Sequence, residues 1–360
     1  MTVIRFEKNK NEEEWNLFLL QAKNSTFLFN RNFMDYHSDR FADHSLMVYD
    51  EKKLVALVPA NICEGILISH QGLTYGGIIT GVNTKLSKII EIVYNVLSFL
   101  HSQSIFSFKL KLIPSFFSRY ATEELEYVMF LANAELFRRD AAIVIDFSEK
   151  IPISGNIRRE GIAAEKKGSS IKADDELSVF WNTVLTPNLH EKYGVKPVHS
   201  LEEISLLKEK FPENIIQVNV YLENEVVAGT TLFIDNKTVH CQYISSTEKG
   251  RKAGCLNFLF KTLINDFSLK YNYFDFGIVN EQDGRYVNKG MLFWKEGFGG
   301  RTKKHDFYNI DTASFRLLEN HRSLRGINQF SLKNTEIIHD KIFRSSESQF
   351  TIRKGVQGGI

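Results

Sequence analysis

The sequence centres on residues 274–299, which open with Phe274-Asp275-Phe276-Gly277 and close with Trp294-Lys295-Glu296-Gly297-Phe298-Gly299. In the opening part, apolar residues alternate with polar or small ones, which is the period of a half-buried strand. Turn residues follow, and we predict a helix over about 285–296 that ends at Gly297 in the left-handed conformation. The stretch therefore predicts a strand, a turn, a short helix and a glycine stop, in that order.

Lys295 lies among apolar residues near the end of this helix, directly after Trp294. Two explanations are open from the residues alone. A cation in the last turn of a helix is favoured by the helix dipole, by about 0.3–1 kcal/mol. Alternatively, a fixed positive charge that faces a reaction centre stabilises an oxyanion. The second explanation makes Lys295 a candidate catalytic residue.

The same stretch resembles the C-terminal signature of the Fem-type peptidoglycan aminoacyltransferases and of their relatives among the two-domain GNAT acyltransferases. The resemblance is carried by 274–277, by Asn288-Lys289-Gly290-Met291 and by 294–299. In that family, a lysine in a Phe-Lys-x-x-Phe-Gly motif is implicated in stabilising the transition state, and Lys295 matches it. Trp294 stands where the family has phenylalanine, and we count it among the substrate-binding candidates.

Length and composition are typical of a two-domain globular protein. The chain has 360 residues, of which 43% are hydrophobic and 24% charged, and this length exceeds what one core usually supports. Its formal net charge of +2 gives no support for DNA binding through bulk charge. Three cysteines without metal-like spacing, ten scattered histidines and no bilayer-length apolar run predict a cytoplasmic protein that is not integral to the membrane and has no metal site.

Strand, glycine-containing loop, amphipathic helix and strand follow one another twice, in residues 54–112 and again in residues 238–278. A strand–helix–strand unit of this length implies a parallel strand pair, and the meandering strands around it make each sheet mixed and mostly antiparallel. We therefore predict an α/β (α+β) fold of tandem GNAT-like domains. The predicted parts are an N-terminal domain (1–150), a C-terminal domain that carries the active site (151–325) and a polar extension (326–360).

The predicted cofactor site comprises Gly250, Arg251, Lys252 and Gly254, between a strand and a helix. Free backbone amides at a helix start favour phosphate. In the GNAT family this position holds the pyrophosphate of coenzyme A, in an Arg/Gln-x-x-Gly-x-Gly/Ala motif. Arg251 and Gly254 match that motif, whereas Leu256 replaces its last small residue. The resemblance implies acetyl-CoA or another acyl-CoA as donor, with aminoacyl-tRNA as the alternative; a plain strand-to-helix turn is the non-functional alternative.

Four further residues are candidates for substrate binding. Residues 156–168 resemble a Fem-family segment in which an arginine contacts a substrate phosphate, so either Arg158 or Arg159 is a candidate; a solvated basic face is the alternative. Arg31 is a weaker phosphate candidate in the first half. Tyr75, in a loop with three glycines, offers a hydrogen bond in the wall of an acceptor pocket.

General acid–base chemistry has its best-placed candidate in Asp275, at a strand end; Glu281 and Asp283 are alternatives. Tyr243 is a candidate proton donor to the leaving group. We interpret His70 as a buried, hydrogen-bonded histidine rather than a catalytic one.

Together these features predict a bacterial N-acyltransferase. It would move an acetyl or aminoacyl group to an amine of a cell-envelope precursor, in our preferred version a phosphate-bearing, nucleotide- or lipid-linked amino sugar in polysaccharide biosynthesis. Two alternatives stay open: a non-catalytic binding protein with a degenerate GNAT fold, and a tRNA-dependent peptidoglycan aminoacyltransferase.

Overall fold

One ten-stranded sheet runs through both halves of the chain. The structure is a computed structural model that describes residues 1–120 and 122–321. The strands are β1 (Thr2–Arg5), β2 (Leu46–Asp50), β3 (Lys53–Val58), β4 (Asn61–Cys63), β5 (Ile66–Ile68), β6 (Ile79–Thr80), β7 (Ser107–Lys111), β8 (Glu135–Asp146), β9 (Ser170–Asp174), β10 (Ile215–Leu222), β11 (Glu225–Asp235), β12 (Thr238–Ser246), β13 (Tyr273–Ile278), β14 (Asn280–Glu281), β15 (Tyr286–Val287) and β16 (Arg301–Asp311).

Helices cover the faces of this sheet. They are α1 (Glu12–Gln21), α2 (Arg31–Met34), α3 (Leu86–Ser102), α4 (Glu124–Leu131), α5 (Gly155–Lys166), α6 (Ser178–Phe180), α7 (Thr186–Tyr193), α8 (Leu201–Lys210), α9 (Glu248–Ala253), α10 (Cys255–Phe267) and α11 (Lys289–Glu296). A π-helical turn, Trp181–Leu185, joins α6 to α7, and a 3-10 helix, Thr312–His321, follows β16. Among the described residues, no helix combines the length and the apolar character that crossing a bilayer requires.

The strand order of the large sheet is β4-β5-β7-β16-β8-β13-β12-β11-β10-β9, and a smaller sheet has the order β1-β2-β3-β6. Neighbours in the large sheet are antiparallel except for β5 with β7 and β12 with β13, which are parallel. The β12–β13 pair is the one that the strand–helix–strand pattern predicts, whereas in the first half the strand parallel to β7 is β5 and not the predicted strand over 54–62, which pairs antiparallel as β3. The mixed, mostly antiparallel α/β fold is therefore confirmed.

Strand β16 connects the two halves most directly. It follows α11 in sequence but lies between β7 and β8, so Phe307 is opposite both Lys111 and Arg138. The predicted boundary near residue 150 falls in the connection between β8 and α5, and it stays a prediction because the sheet is continuous across it. The predicted extension, residues 326–360, lies outside the described residues.

Strands β12 and β13 separate soon after they meet. Their parallel pairing covers three residue pairs and ends at His240 opposite Asp275. The pairing of β13 with β8 is also irregular, between Asp275 and Ile278, and Gly277 there has a φ of +73°. Backbone groups at the end of β13 therefore lack strand partners, and the gap between the strands opens a space beside them.

The structure corrects three expectations about local structure. The helix that carries Lys295 begins at Lys289, because residues 280–287 form the two-stranded ribbon β14–β15 and the Asn288 side chain caps the helix. Gly297 has a right-handed φ of −61°; Gly299, at φ +94°, makes the turn instead. The sequence also predicts a helix over about 174–193, but the observed helical segment starts only at Ser178, after strand β9.

An aromatic cluster fixes α11 against the sheet. The Trp294 ring packs edge-on against Phe260, Phe276 and Phe298, with ring centroids 5.2–5.9 Å apart, and its indole N–H donates to Asn257 at 2.9 Å. Buried aromatic pairs of this geometry restrict how a helix can rotate. The cluster therefore orients the next residue, Lys295, toward the end of β13.

Candidate active site

A cavity of about 1160 Å³ lies between the two halves, above the point where β12 and β13 separate. Both halves contribute polar side chains to its wall. From the N-terminal half these include Tyr36, His37, Lys111, Arg138 and Asp140, and from the C-terminal half His240, Arg251, Asp275, Lys295 and His305. A concave space with convergent polar groups is the usual form of a small-molecule site.

Lys295 lies in this cavity wall and is 5% exposed. Its ammonium donates to the carbonyl oxygens of Gly277 at 3.2 Å and Ile278 at 2.8 Å, the groups that the separation of the strands leaves free. An ammonium has three protons, so a third donor remains for a ligand. Burial lowers the pKa of Lys295 to about 8, although Asp275 and Cys241 act in the opposite direction.

Asp275 is 2% exposed and is bonded to two groups. One carboxylate oxygen lies 2.7 Å from Nδ1 of His240, and the other accepts the backbone N–H of Gly277 at 2.7 Å. The carboxylate therefore fixes the His240 ring, whose Nε2 is the nitrogen left for a substrate proton. The sequence identified Asp275 but not His240, because a histidine within a strand carries no local signal of what it faces.

Tyr243 lies outside the cavity lining. Its hydroxyl is 2.6 Å from Nδ1 of His199 and accepts the His199 backbone N–H at 3.2 Å, and its ring packs against Trp181. Burial raises the pKa of Tyr243 to about 12. This position gives no support to the predicted role as proton donor to a leaving group.

The predicted glycine loop at 250–254 is wrong in its local structure, because Glu248–Ala253 is helical. Thr247 caps this helix and accepts the backbone N–H groups of Gly250 and Arg251. The Gly254 N–H bonds to Arg251. Amides that the sequence predicted to bind pyrophosphate are thus already bonded within the protein.

The side chains of this segment divide between two environments. Arg251 lines the cavity and donates to the Ser246 carbonyl at 2.8 Å. Lys252 points to solvent and pairs with Glu248. Gly250 is tightly packed, since an added Cβ would lie 2.4 Å from the Val227 carbonyl oxygen.

The three candidate phosphate-binding arginines all lie outside the cavity lining. Arg158 and Arg159 are exposed on α5. Arg31 is 2% exposed and forms ion pairs with Asp35 and Asp43. Two carboxylates already compensate its charge, so the structure gives Arg31 a place in the core and no support as a phosphate ligand.

Tyr75 and Trp294 both line the cavity. Tyr75 is 3% exposed and packs between Phe29 and Phe117, where burial raises its pKa. The backbone of residues 71–75 forms the adjoining wall. The glycine-rich loop therefore lies beside the space that the sequence assigned to an acceptor.

Several polar residues of the cavity floor were not predicted. Arg138 bonds Asp140 through Nε at 3.0 Å and Nη2 at 2.8 Å, and its other nitrogen reaches Asp283 at 2.7 Å. His305 lies opposite Asp140 in the sheet. The sequence shows a signal in Arg138-x-Asp140 and His305-x-Phe307, whose period of two places each pair on one face of a strand.

A row of stacked rings forms another wall. Tyr36 stacks on His37 at 4.2 Å, and His37 stacks on His70 at 5.0 Å. Burial lowers the pKa of His70 to about 3, so the ring is neutral at physiological pH. His70 is buried as predicted, but its Nδ1 has no hydrogen-bond partner.

Within the described residues, no group of three or more histidine, cysteine or acidic side chains is arranged to hold a metal.

Comparison with known proteins identifies the fold. No family model matches the sequence, and no curated protein does. Among solved structures, FemX superimposes with a TM-score of 0.61 at 10% identity, covering 89% of this chain and all of FemX. The chain thus has the fold of FemX, which confirms the predicted resemblance at the level of structure.

Two further solved structures are similar to this chain. L-PGS from Bacillus licheniformis gives a TM-score of 0.56 at 12% identity, over 89% of this chain and 97% of that one. The C-terminal domain of a putative lysylphosphatidylglycerol synthetase from Agrobacterium fabrum gives 0.58 at 12% identity, over 86% and 94%. At sequence identities this low, the similarity shows a shared fold and nothing more.

Proposed function

We propose that this chain, which has the fold of FemX, is an acyltransferase that joins an activated acyl group to an amine. The observation that carries the proposal is the position of Lys295: a buried ammonium, bonded to two carbonyl oxygens, with a donor left over at a cavity. Attack on an acyl carbonyl builds negative charge on its oxygen, and a fixed cation in a water-poor site stabilises that charge.

The proton chemistry falls to His240 and Asp275. The amine nitrogen forms a bond to the acyl carbon and loses a proton to Nε2 of His240, while Asp275 stabilises the resulting imidazolium. The tetrahedral intermediate collapses as the bond from the acyl carbon to the leaving sulfur or oxygen breaks. His240 then returns the proton to the leaving group. Asp275 thus acts through the ring that it orients.

An acyl-CoA is the preferred donor, and the acceptor in this proposal is a phosphate-bearing amino sugar of the cell envelope. Arg251, at the cavity, supports an anionic donor. Aminoacyl-tRNA is the second candidate donor, favoured by one observation: the Gly250, Arg251 and Gly254 amides are already bonded within the protein. The name of the Agrobacterium fabrum protein, a lysylphosphatidylglycerol synthetase, specifies a phosphate-bearing lipid, which supports an anionic acceptor.

The first test is calorimetric titration of the full chain with acetyl-CoA. Binding in the micromolar range supports the acyl-CoA version, and heat with an aminoacyl-tRNA alone supports the second candidate. No heat with either donor would favour the non-catalytic binding protein.

The second test compares wild type with Lys295→Met in a mass-spectrometric transfer assay against nucleotide-linked amino sugars. We expect donor binding within about twofold of wild type and turnover reduced about 10²–10³-fold, the effect of removing one oxyanion donor. Lys252→Met is the matched control, because Lys252 is exposed and lies outside the cavity lining. Full turnover by Lys295→Met would contradict the mechanism.

A further inference from the structure

A second lysine lines the same cavity, on the side of the N-terminal half. Lys111 ends strand β7, and its ammonium donates to the carbonyl oxygen of Leu73 and, at 3.4 Å, to that of Gln71. These carbonyls belong to the glycine-rich loop that forms the adjoining wall. As for Lys295, two protons of the ammonium are used by backbone oxygens, and the third remains for a ligand.

The charge of Lys111 has no carboxylate to balance it. Among the described residues, no acidic side chain forms a salt bridge with Lys111, whereas the buried Lys23 pairs with Glu124 at 2.5 Å. The neighbouring cation, Arg138, is compensated by its own two carboxylates. Burial and the Arg138 charge lower the pKa of Lys111 to about 8.

His305 is a second polar residue at this corner, and its environment is an observation independent of Lys111. It is 6% exposed and lines the cavity, and its Nε2 has no hydrogen-bond partner. Burial lowers its pKa to about 4, so the ring is neutral and can donate one N–H. The sheet register brings it close to Lys111, because Phe307, two residues on along β16, lies opposite Lys111.

Unpaired buried polar groups are destabilising unless something binds them. An ammonium and a neutral imidazole that meet at a cavity match one ligand chemistry, a group with several anionic oxygens. If Lys111 only held the loop at residues 71–73 in place, its two contacts to carbonyl oxygens would be sufficient. A purely structural role does not explain the histidine nitrogen that lacks a hydrogen-bond partner.

We propose that Lys111 and His305 form an anion-binding position that holds a phosphate or carboxylate group of the acceptor. The position is distinct from Lys295, which comes from the other half. The identification of the ligand as the acceptor rests on the proposed transferase function. The existence of an anion-binding position at Lys111 and His305 does not depend on that function. It replaces the exposed Arg158 and Arg159 as the place where an acceptor phosphate is recognised.

Binding is tested without any acyl donor or turnover, so the result is independent of the transferase proposal. Inorganic pyrophosphate is titrated into the full chain at constant ionic strength, and the midpoint of thermal unfolding is followed. We expect wild type to gain stability with pyrophosphate, since a ligand that binds the folded state stabilises it. Lys111→Met should weaken binding about tenfold or more.

Matched variants separate this position from other cationic sites. Lys252→Met, at an exposed lysine outside the cavity lining, should bind pyrophosphate within about twofold of wild type. If Lys111→Met does not fold, Lys111→Arg keeps the charge and the donors and should retain binding, whereas His305→Phe should weaken it.

The identity of the anion is read from a parallel titration with acetate. A shift with pyrophosphate alone assigns a phosphate group, and a Lys111-dependent shift with acetate assigns a carboxylate. Equal shifts for wild type and Lys111→Met, or no shift for wild type with either anion, would overturn the proposal.

Discussion

Replacing Lys295 with methionine should stabilise the protein at neutral pH. The structure holds a charged ammonium at 5% exposure with no carboxylate in salt-bridge contact among the described residues. Its pKa falls from 10.5 to about 8, and at about 1.4 kcal/mol for each pKa unit this corresponds to about 3 kcal/mol of destabilisation. Methionine keeps most of the side-chain volume and removes the charge.

Part of that gain is lost, because the carbonyl oxygens of Gly277 and Ile278 lose their donor. Each lost hydrogen bond costs about 1 kcal/mol, and both oxygens lie at the cavity, where water can replace the ammonium. The net expectation for Lys295→Met is therefore a gain of about 1 kcal/mol in the free energy of unfolding, measured by urea denaturation at pH 7.

The pH dependence of this gain has a definite sign. Between about pH 8 and pH 10.5 the folded state has released the Lys295 proton while the unfolded state still holds it, so wild type gains stability as the pH rises. The advantage of Lys295→Met, about 1 kcal/mol at pH 7, should therefore disappear near pH 9, and above that pH wild type should be the more stable protein.

A matched control is Lys23→Met. Lys23 is equally buried, at 4% exposed, but pairs with Glu124, so its loss leaves a carboxylate unpaired and should destabilise by about 2 kcal/mol. The reasoning is refuted if Lys295→Met destabilises the protein at pH 7 as much as Lys23→Met does. The main role of Lys295 would then be structural, to hold the end of β13 in place through its two hydrogen bonds to carbonyl oxygens.

Three other predictions concern the site and its frame. If the protonated form of Lys295 is the active one, kcat/KM for acyl transfer should fall about tenfold per pH unit above pH 8, which a pH–rate profile measures. His240→Asn should lower kcat about 10²–10⁴-fold, whereas Tyr243→Phe should leave it within about threefold of wild type, because Tyr243 lies outside the cavity lining; the reverse order in a steady-state assay would assign the proton to the tyrosine. Gly250→Ala should destabilise by about 1–3 kcal/mol, because the new methyl group meets the Val227 carbonyl oxygen at 2.4 Å, and Gly290→Ala, with its nearest neighbour at 3.7 Å, should not; equal urea midpoints for the two variants would show that the backbone at Gly250 can move aside.

The parts of the fold that the sequence predicts well are those set by local periodicity. Strand β13 is observed as predicted, over Tyr273–Ile278, because its alternation is uninterrupted. For β8 the sequence predicts a strand only over about 141–146, six residues after the observed start at Glu135, since Arg138 and Asp140 are charged and do not alternate with a clear apolar face. Both side chains face the cavity. A strand whose face lines a polar cavity lacks the apolar alternation by which strands are recognised in a sequence.

The sequence predicts the site residues that belong to a motif, and it misses those whose role depends on tertiary contacts. Lys295 lies in the last turn of α11, and Asp275 lies where β13 separates from β12; both belong to the one stretch of sequence that a motif marks. Arg31 resembles a free phosphate ligand until Asp43, from a different segment, is placed against it. His240 and Lys111 have no motif at all, and their roles follow from the faces of the strands that carry them.

The position of β16 has a consequence for how the nascent chain folds. Until Arg301–Asp311 leaves the ribosome, β7 and β8 have no strand between them, and each presents an open edge on which other chains can pair. At about 5–20 residues per second, that exposure lasts on the order of ten seconds or more. A fragment that ends near residue 150 should therefore aggregate, and adding a peptide of residues 301–311 in trans should restore its solubility.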